Sequence, residues 1–199
     1  MSLSTEKQDR FLALLRKQQP ALERYVLAMT RDPEAAKDVV GETILIAFER
    51  FETLKSPEAF LSFLFTIATR AYRRAEARSV RVPRADEHAI EGMLDPGISP
   101  ETAADIGVVH HALAMLPEKQ REAVVLFEII GLSMKEIQVI QGGTVVGVKV
   151  RISRGRRKLA KYLGVDPMPA EQKPADRPAT QADDVTMNEL HFLSIAEKP

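Results

Sequence analysis

The chain has 199 residues, with 28 Lys and Arg balanced by 28 Asp and Glu, so its formal net charge is zero and bulk charge does not indicate a nucleic-acid partner. It contains no cysteine, which excludes disulfides, thiol catalysis and thiolate zinc sites and favours a reducing compartment. The N-terminus carries charges where a secretory signal is apolar, and no apolar run reaches the roughly 20 residues of a membrane span, so a cytoplasmic location without membrane insertion is expected.

The balanced total conceals separated charges along the chain. Acids dominate from Asp32 to Glu52, and six arginines with a single acid follow from Arg70 to Arg84. Every charge from Lys149 to Lys161 is positive. Because local fields rather than total charge attract partners, these segments are candidate binding surfaces.

Apolar residues spaced by three and four predict helices throughout the first half of the chain. Ser4 or Thr5 is expected to cap a first helix that runs to about Met29, with a kink or break at Pro20. Asp32 followed by proline is expected to cap a second helix, and Ser56 followed by proline a third. The predicted apolar stripes of these last two helices are Val40, Ile44, Phe48 and Phe51, then Phe60, Leu64, Ile67, Ala68 and Ala71.

The second half of the chain begins after a segment with weak periodicity and several prolines, which we interpret as a flexible linker over 80–98. Helices are predicted from Ser99 to about Leu116 and over 117–130, the latter stopped by Gly131. Ser133 and Glu136 form a capping-box pattern before a short helix. The expected fold is all-α, with two small helical domains at 5–79 and 99–164 and a Pro-rich acidic tail over 165–199, for which a short amphipathic helix is the alternative to disorder.

The segment from Gly131 to Leu163 has the pattern of a helix-turn-helix. Gly142-Gly143 forms the predicted turn and Thr144 caps the second helix. At about 100° per residue, one face is expected to dock and the other to be exposed. The docking face is Val145, Val148, Ile152, Gly155 and Leu159; the exposed face is Val146, Val150, Arg154, Arg157 and Lys161, flanked by Lys149, Arg151 and Ser153.

The exposed face suits duplex DNA, because arginine clamps guanine edges or phosphates and valine methyls meet thymine methyls. A solvated basic face is the alternative, and the pattern alone leaves it open. A second basic cluster at Arg70, Arg73, Arg74 and Arg78 lies on the side of the third helix that carries Phe63. Arginines beside an aromatic ring suit unpaired bases, and a core position for Phe63 is the equally weighted alternative.

Two stretches together resemble bacterial sigma factors of the extracytoplasmic-function (ECF) branch. The first is "DPEAAKDVVGETILIAFERFETLKSPEAFLSFLFTIATRAYRR"; the second is "ALAMLPEKQREAVVLFEIIGLSMKEIQVIQGGTVVGVKVRISRGRRKL". The resemblance covers roughly residues 8 to 163. It implies a sigma-two and a sigma-four domain that bind core RNA polymerase and promoter DNA, with an anti-sigma factor as a possible further partner.

The resemblance also implies three sets of contact residues. For polymerase binding they are Asp38, Glu42, Thr43, Ile46 and Glu49. For the minus-ten element they are Lys55, Ser56, Phe63, Thr66, Arg70, Arg73, Arg74 and Arg78. For the minus-thirty-five element they are Thr144, Lys149, Val150, Arg151, Ser153, Arg154 and Arg157.

The chain departs from the family pattern at several of these positions. Gly41 stands where the family usually has Gln, Phe63 where it has Trp, and Arg70 where it has Asn. Val146-Gly147 replaces a frequent Gly-Thr pair, and Val150 a common Ser. Losing these hydroxyls removes hydrogen-bonding groups from the predicted base-reading face, so promoter recognition is expected to be altered or weakened.

Three other classes of protein remain as alternatives. A sigma-like decoy would bind an anti-sigma protein without reading DNA, but such decoys usually carry a receiver domain for which this chain has no room. A plain helix-turn-helix regulator would need a dimerisation domain, which the acidic first half does not resemble. An enzyme is disfavoured, since no phosphate loop or HExxH pattern is present, and we expect no catalytic residue, metal or cofactor. The adjacent His110 and His111 are interpreted as structural.

Overall fold

The computed structural model describes residues 3–79 and 100–165, with the side chains of 5–78 and 105–165. All regular structure in these ranges is helical, as expected for an all-α fold. Among the described residues no helix is both long enough and apolar enough to cross a membrane. The predicted linker and acidic tail lie outside the described residues. The seven α-helices are α1 (Leu3–Thr30), α2 (Pro33–Glu49), α3 (Phe60–Ser79), α4 (Pro100–Ala114), α5 (Glu118–Val124), α6 (Met134–Gln141) and α7 (Val145–Leu163).

Helix α1 continues through Pro20, so the predicted break there is wrong. Pro20 is solvent-exposed, and the carbonyl that loses its partner can therefore be hydrated. Residues on both sides of it are anchored in the core, including Leu15 and Leu22, and this packing outweighs the local cost. The helix begins at Leu3, so Ser4 and Thr5 lie inside it and the expectation that either one caps it is also wrong.

Helix α2 begins as its sequence predicts. The Asp32 carboxylate accepts hydrogen bonds from the backbone amides of Glu34 (2.9 Å) and Ala35 (3.1 Å). These bonds satisfy amides that have no partner within the helix. The start of the third helix differs from the prediction: a 3-10 turn, Pro57–Ala59, precedes α3, and the Ser56 side chain makes no capping bond to the backbone.

The core of the first half is rich in aromatic rings. Phe11 of α1 makes edge-to-face contacts with the rings of Phe48, Phe51 and Phe60, at centroid distances of 5.3, 5.4 and 5.9 Å. The five apolar residues predicted to line α3 are all buried. Because Phe51 and Phe60 flank the connection between α2 and α3, this cluster fixes the loop that holds Lys55 and Ser56.

The second half has four helices, and α7 packs against each of the other three. A π-helical turn, Val125–Ile129, extends α5 before Gly131, whose φ of 81° ends the segment as predicted. The capping box is present: the Ser133 amide donates to the Glu136 carboxylate at 2.8 Å, and the Glu136 amide donates to Ser133 Oγ at 3.3 Å. Gly142 and Gly143, at φ of 74° and 87°, then turn the chain towards α7.

His110 of α4 is buried at 3% exposure, and its Nδ1 atom has no hydrogen-bond partner in the described part of the chain. Burial, with a smaller contribution from the positive charge of Arg31, lowers the pKa of His110 to about 4. The imidazole is therefore neutral in the folded protein at neutral pH. Its burial agrees with a structural role for this histidine, whereas His111 is exposed.

We expect the free energy of unfolding to fall as the pH drops from about 6.5 towards 4, because the unfolded chain then binds a proton that folded His110 rejects. The pKa of Glu122 is raised, so above the ordinary pKa of a glutamate this group makes the free energy of unfolding fall as the pH rises. His110→Asn should therefore make the pH dependence shallower than in the wild type. Urea titrations at several pH values measure the free energy of unfolding, and His111→Asn is the control. If this free energy depended on pH equally in the wild type and in His110→Asn, the expectation would be contradicted.

Candidate DNA and polymerase interface

Helix α7 presents the predicted reading face to solvent. Thr144 caps it by accepting a hydrogen bond from the Gly147 amide at 3.1 Å. Val146 is 71% exposed and Val150 40% exposed. Most of the predicted docking face is inside, but Val145 is 38% exposed, which contradicts its assignment to that face. Four cations of the reading face are exposed as expected, namely Lys149, Arg154, Arg157 and Lys161.

Arg151 differs from these cations because it bridges the turn. Its Nη1 atom donates to Oε1 of Gln141, the last residue of α6, at 2.6 Å. A Cβ placed on Gly143 would lie 3.2 Å from Arg151 Nη2, and one on Gly147 3.7 Å from it. The two glycines therefore leave room for the guanidinium between the helices. Arg151 and Ser153 are both only half-exposed, so their predicted contact with DNA has less accessible surface than that of Arg154.

The third helix carries part of the predicted minus-ten surface. Arg70 is exposed and makes no ion pair within the described residues, while Phe63 is half-buried, with its ring centre 6.3 Å from that of Phe60. Phe63 thus belongs partly to the core and partly to the surface. The Thr66 hydroxyl donates to the Ser62 carbonyl at 2.6 Å, which leaves its oxygen able to accept a further bond.

A cleft of about 660 Å³ lies beside the loop that precedes α3. Lys55 and Ser56 form one wall, and Lys7 and Arg10 of α1 face them. The Arg10 guanidinium lies over the Phe51 ring, 6.0 Å from its centre. Glu6 and Glu52 also line the cleft, and the Phe51 ring itself is buried.

Arg74 and Arg78 share one carboxylate. Arg74 Nη2 lies 2.8 Å from Glu42 Oε1, and Arg78 Nη2 lies 3.4 Å from Glu42 Oε2. Both arginines are at least half exposed, so these pairs are weak and exchangeable. Glu42, predicted to contact polymerase, therefore also positions two arginines of the minus-ten set.

The acidic face of α2 is only partly as predicted. Asp38 and Glu49 are exposed and Ile46 is half-buried. Thr43 is wholly buried, and its hydroxyl donates to the Val39 carbonyl at 2.6 Å, so the expectation of an exposed Thr43 is wrong. Leu45 is 58% exposed between these acids and was missed, because its apolar side chain suggested core.

Arg73 is less exposed than Arg74 and Arg78, and it joins the two halves of the chain. Its Nη2 atom donates to Glu122 Oε2 at 2.8 Å and its Nε atom to Glu118 Oε1 at 2.9 Å, both acids being on α5. In this arrangement the Arg73 guanidinium is held by two carboxylates, and its predicted contact with DNA stays a prediction.

Further polar contacts surround this pair. Thr69 Oγ1 lies 3.2 Å from Glu122 Oε1, and Arg121 Nη2 donates to the Tyr72 hydroxyl at 2.7 Å. Burial raises the pKa of the Glu122 carboxyl, although Arg73 opposes the shift. We refer to Thr69, Tyr72, Arg73, Glu118, Arg121 and Glu122 as the interdomain contact. Sequence patterns gave no sign of it, since its partners are 45–53 residues apart.

Family models match both halves of the chain. Residues 14–81 match the model for sigma-70 region 2, and residues 106–159 match that for sigma-70 region 4. The chain is 30% identical over 169 residues to the ECF RNA polymerase sigma factor EcfG of Rhodopseudomonas palustris (strain TIE-1), covering 83% of this chain and 90% of that relative. It is 29% identical over 161 residues to the RNA polymerase sigma factor CarQ of Myxococcus xanthus, covering 79% and 91%.

The fold is similar to that of a solved sigma factor. The sigma factor RpoE from Bartonella quintana, solved in complex with the anti-sigma factor NepR, superposes with a TM-score of 0.64 at 24% identity. The match covers 80% of this chain and 97% of that chain. With a region 2 half, a region 4 half that carries an exposed basic helix, and relatives that match over most of their length, the chain belongs to the ECF family of RNA polymerase sigma factors.

Proposed function

We propose that this sigma factor directs core RNA polymerase to promoters by reading a minus-thirty-five element with α7 and a minus-ten element with α3 and the loop before it. Residues 5–79 act as the sigma-two domain and 99–164 as the sigma-four domain. The observation that carries the proposal is the solvent-facing side of α7, where Val146 and Val150 lie among cations on a capped helix-turn-helix.

Duplex reading is assigned to the exposed side of α7. Lys149, Arg154 and Arg157 are placed to neutralise phosphates or clamp guanine edges, and Val150 to meet thymine methyls. Thr144 contributes from the helix N-terminus, where backbone amides favour phosphate. The exposed Val146 adds apolar surface where the family often has a smaller residue, which favours a thymine-containing site.

Melting is assigned to the first half of the chain. Arg70 and the half-buried Phe63 lie on one side of α3, where an unpaired base can meet a ring and a cation, and the exposed Lys55 lies beside the neighbouring cleft. Trapping such a base offsets the few kcal/mol that unstacking costs. Arg74 and Arg78 can exchange their shared carboxylate for a phosphate, because their ion pairs with Glu42 are exposed.

Polymerase docking is assigned to the exposed side of α2. Asp38 and Glu49 supply charge, and Leu45 supplies apolar surface at the centre of the patch. Ile46 lies at its edge. Thr43 supports the helix from the core instead of making the contact. The factor acts in the cytoplasm, has no catalytic activity of its own, and is controlled by an anti-sigma factor, as the complex formed by the structural relative supports.

The test is run-off transcription with purified factor and core polymerase. Genomic fragments selected by the reconstituted holoenzyme should share two boxes and give transcripts with defined starts. Failure to bind core polymerase would overturn the proposal. Binding of core without any selected promoter would favour the decoy alternative instead.

We expect Arg154→Ala to weaken use of the selected promoter, since this exposed guanidinium faces away from the α5 side of α7. Loss of one phosphate contact should lower the slope of affinity against salt by about one unit and leave base preference unchanged. Loss of a base contact should instead relax preference at one position, at about 1–3 kcal/mol. Promoter-binding titrations at several salt concentrations distinguish a lost phosphate contact from a lost base contact. Lys17→Ala removes one exposed positive charge from α1 and is the charge-matched control. If Arg154→Ala bound the promoter as well as Lys17→Ala does, a role for Arg154 in DNA binding would be refuted.

A further inference from the structure

We propose that the exposed face of α7 is a docking surface for the acidic segment 183–197 of the same chain, and that DNA must displace this segment before the face can be read. This inference rests on the proposed function. The segment itself lies outside the described residues, whereas the face that receives it is described in full.

The exposed face of α7 combines apolar surface with positive charge. Val146 and Val150 are 71% and 40% exposed near the start of the helix. Arg156 is paired with Glu128 of the preceding segment. Five further cations are exposed, and none of them forms an ion pair with another described residue: Lys149, Arg154, Arg157, Lys158 and Lys161. Within the described part of the chain, this face therefore has positive charge without a partner.

The acidic segment has the complementary composition. Between Arg177 and Lys198 the sequence has no lysine or arginine, and all of its charged side chains are acids, namely Asp183, Asp184, Glu189 and Glu197. Apolar residues stand three positions apart among these acids, at Met187, Leu190 and Leu193. The carboxylates can pair with the exposed cations of α7, while the apolar side chains cover Val146 and Val150.

The chain is long enough to bring the segment onto this face. The described residues end at Val165, directly after α7. The 17 residues from 166 to 182 can span up to about 60 Å when extended. Helix α7 has 19 residues, about 28 Å at 1.5 Å per residue. The segment can therefore reach every exposed position of α7, including Val146 at the far end.

Because the segment is tethered, a weak contact is sufficient. A connection of this length gives an effective concentration on the order of 1 mM. A contact with a Kd of about 0.1 mM would then be formed about nine-tenths of the time and would lower the affinity for DNA about tenfold. Exposed ion pairs are individually weak, and a duplex carries phosphates at much higher density than the segment carries acids. DNA can therefore displace the segment.

Neutralising the acids tests whether the segment competes with DNA. Asp183→Asn, Asp184→Asn and Glu189→Gln together remove three negative charges from the segment. The matched control removes three outside it, with Asp166→Asn, Glu171→Gln and Asp176→Asn. Fluorescence anisotropy of a labelled duplex with the selected minus-thirty-five element measures the affinity of each full-length variant.

We expect the segment variant to bind this duplex at least threefold more tightly than the control variant. The difference should shrink as the salt concentration rises, because screening weakens the ion pairs between the segment and α7. Equal affinities of the two variants, with Arg154→Ala still binding more weakly than the wild type, would overturn the proposal.

A photocrosslink tests the contact without DNA. The chain has no cysteine, so Val146→Cys introduces its only thiol, to which a benzophenone maleimide can be attached. Irradiation should join position 146 to the segment 183–197 of the same molecule, as located by peptide mass spectrometry. Leu45→Cys with the same label is the control, because Leu45 is 58% exposed but lies on α2.

A yield no higher than that of the Leu45→Cys control would overturn the proposal. A product that joins two molecules would also overturn it, and would assign the exposed face of α7 to the segment of a second copy. Failure of the proposed function has a different signature. The crosslink within one molecule would then still form, but neither the segment substitutions nor Arg154→Ala would change the affinity for DNA.

Discussion

Replacing Phe11 by alanine is expected to lower the free energy of unfolding of the first half by about 3–5 kcal/mol. Phe11 is 2% exposed and meets three other rings edge to face, so its removal leaves a cavity and ends those contacts together. Urea unfolding of the full chain, followed by circular dichroism, measures the change. Promoter melting should also weaken, because two of those rings flank the loop that carries Lys55.

Phe11→Leu is the matched control for this substitution. Leucine fills most of the volume but supplies no ring, so about 1–2 kcal/mol should be lost. A Phe11→Ala protein as stable as Phe11→Leu would show that neighbouring side chains fill the space. The aromatic cluster would then not be what holds α1 against the start of α3.

Gly155→Ala is expected to destabilise the second half by about 1–3 kcal/mol through overpacking. The added Cβ would lie 2.5 Å from Val124 Cγ2, and Val124 is β-branched and 2% exposed, so it cannot turn aside without moving α5 or α7. Because α7 also carries the reading face, its displacement should reduce promoter binding. Urea unfolding and promoter titration of the same variant measure both effects.

Gly41→Ala makes the same chemical change where nothing opposes it. Gly41 is exposed inside α2, and no atom lies within 4 Å of the position its Cβ would take. Alanine there should raise stability by about 0.5–1 kcal/mol through helix propensity alone. If alanine changed the free energy of unfolding in opposite directions at the two positions, close packing would be identified as the reason that residue 155 is glycine. A stabilised Gly155→Ala protein would contradict that reason.

The features of the fold that local chemistry determines were predictable. Asp32, Thr144 and the Ser133–Glu136 pair cap their helices as expected, since each bond joins residues close in sequence. Gly131 likewise ends its segment. The break predicted at Pro20 failed because packing of the flanking turns outweighs one lost backbone hydrogen bond.

The candidate site was less predictable, because periodicity indicates which side of a helix is apolar but not what covers it. The Thr43 hydroxyl donates a hydrogen bond to a carbonyl of its own helix, so this polar side chain can be buried. Val145 was assigned to the packed side of α7 but is the first residue of that helix and is 38% exposed. The polar partners of Arg73 come from a distant segment, and helical patterns carry no information about such pairs.

The bridge across the turn bears on any attempt to change promoter choice by transplanting a reading helix. Arg151 lies within α7 but is fastened to the end of α6, in a space that Gly143 and Gly147 leave open. A donor helix without the arginine would lose the hydrogen bond to Gln141, and a Cβ at Gly143 or Gly147 would lie within 4 Å of the guanidinium. These three residues and Gln141 should therefore be transferred or retained as one unit, while exposed positions such as Val146 and Val150 are exchanged freely.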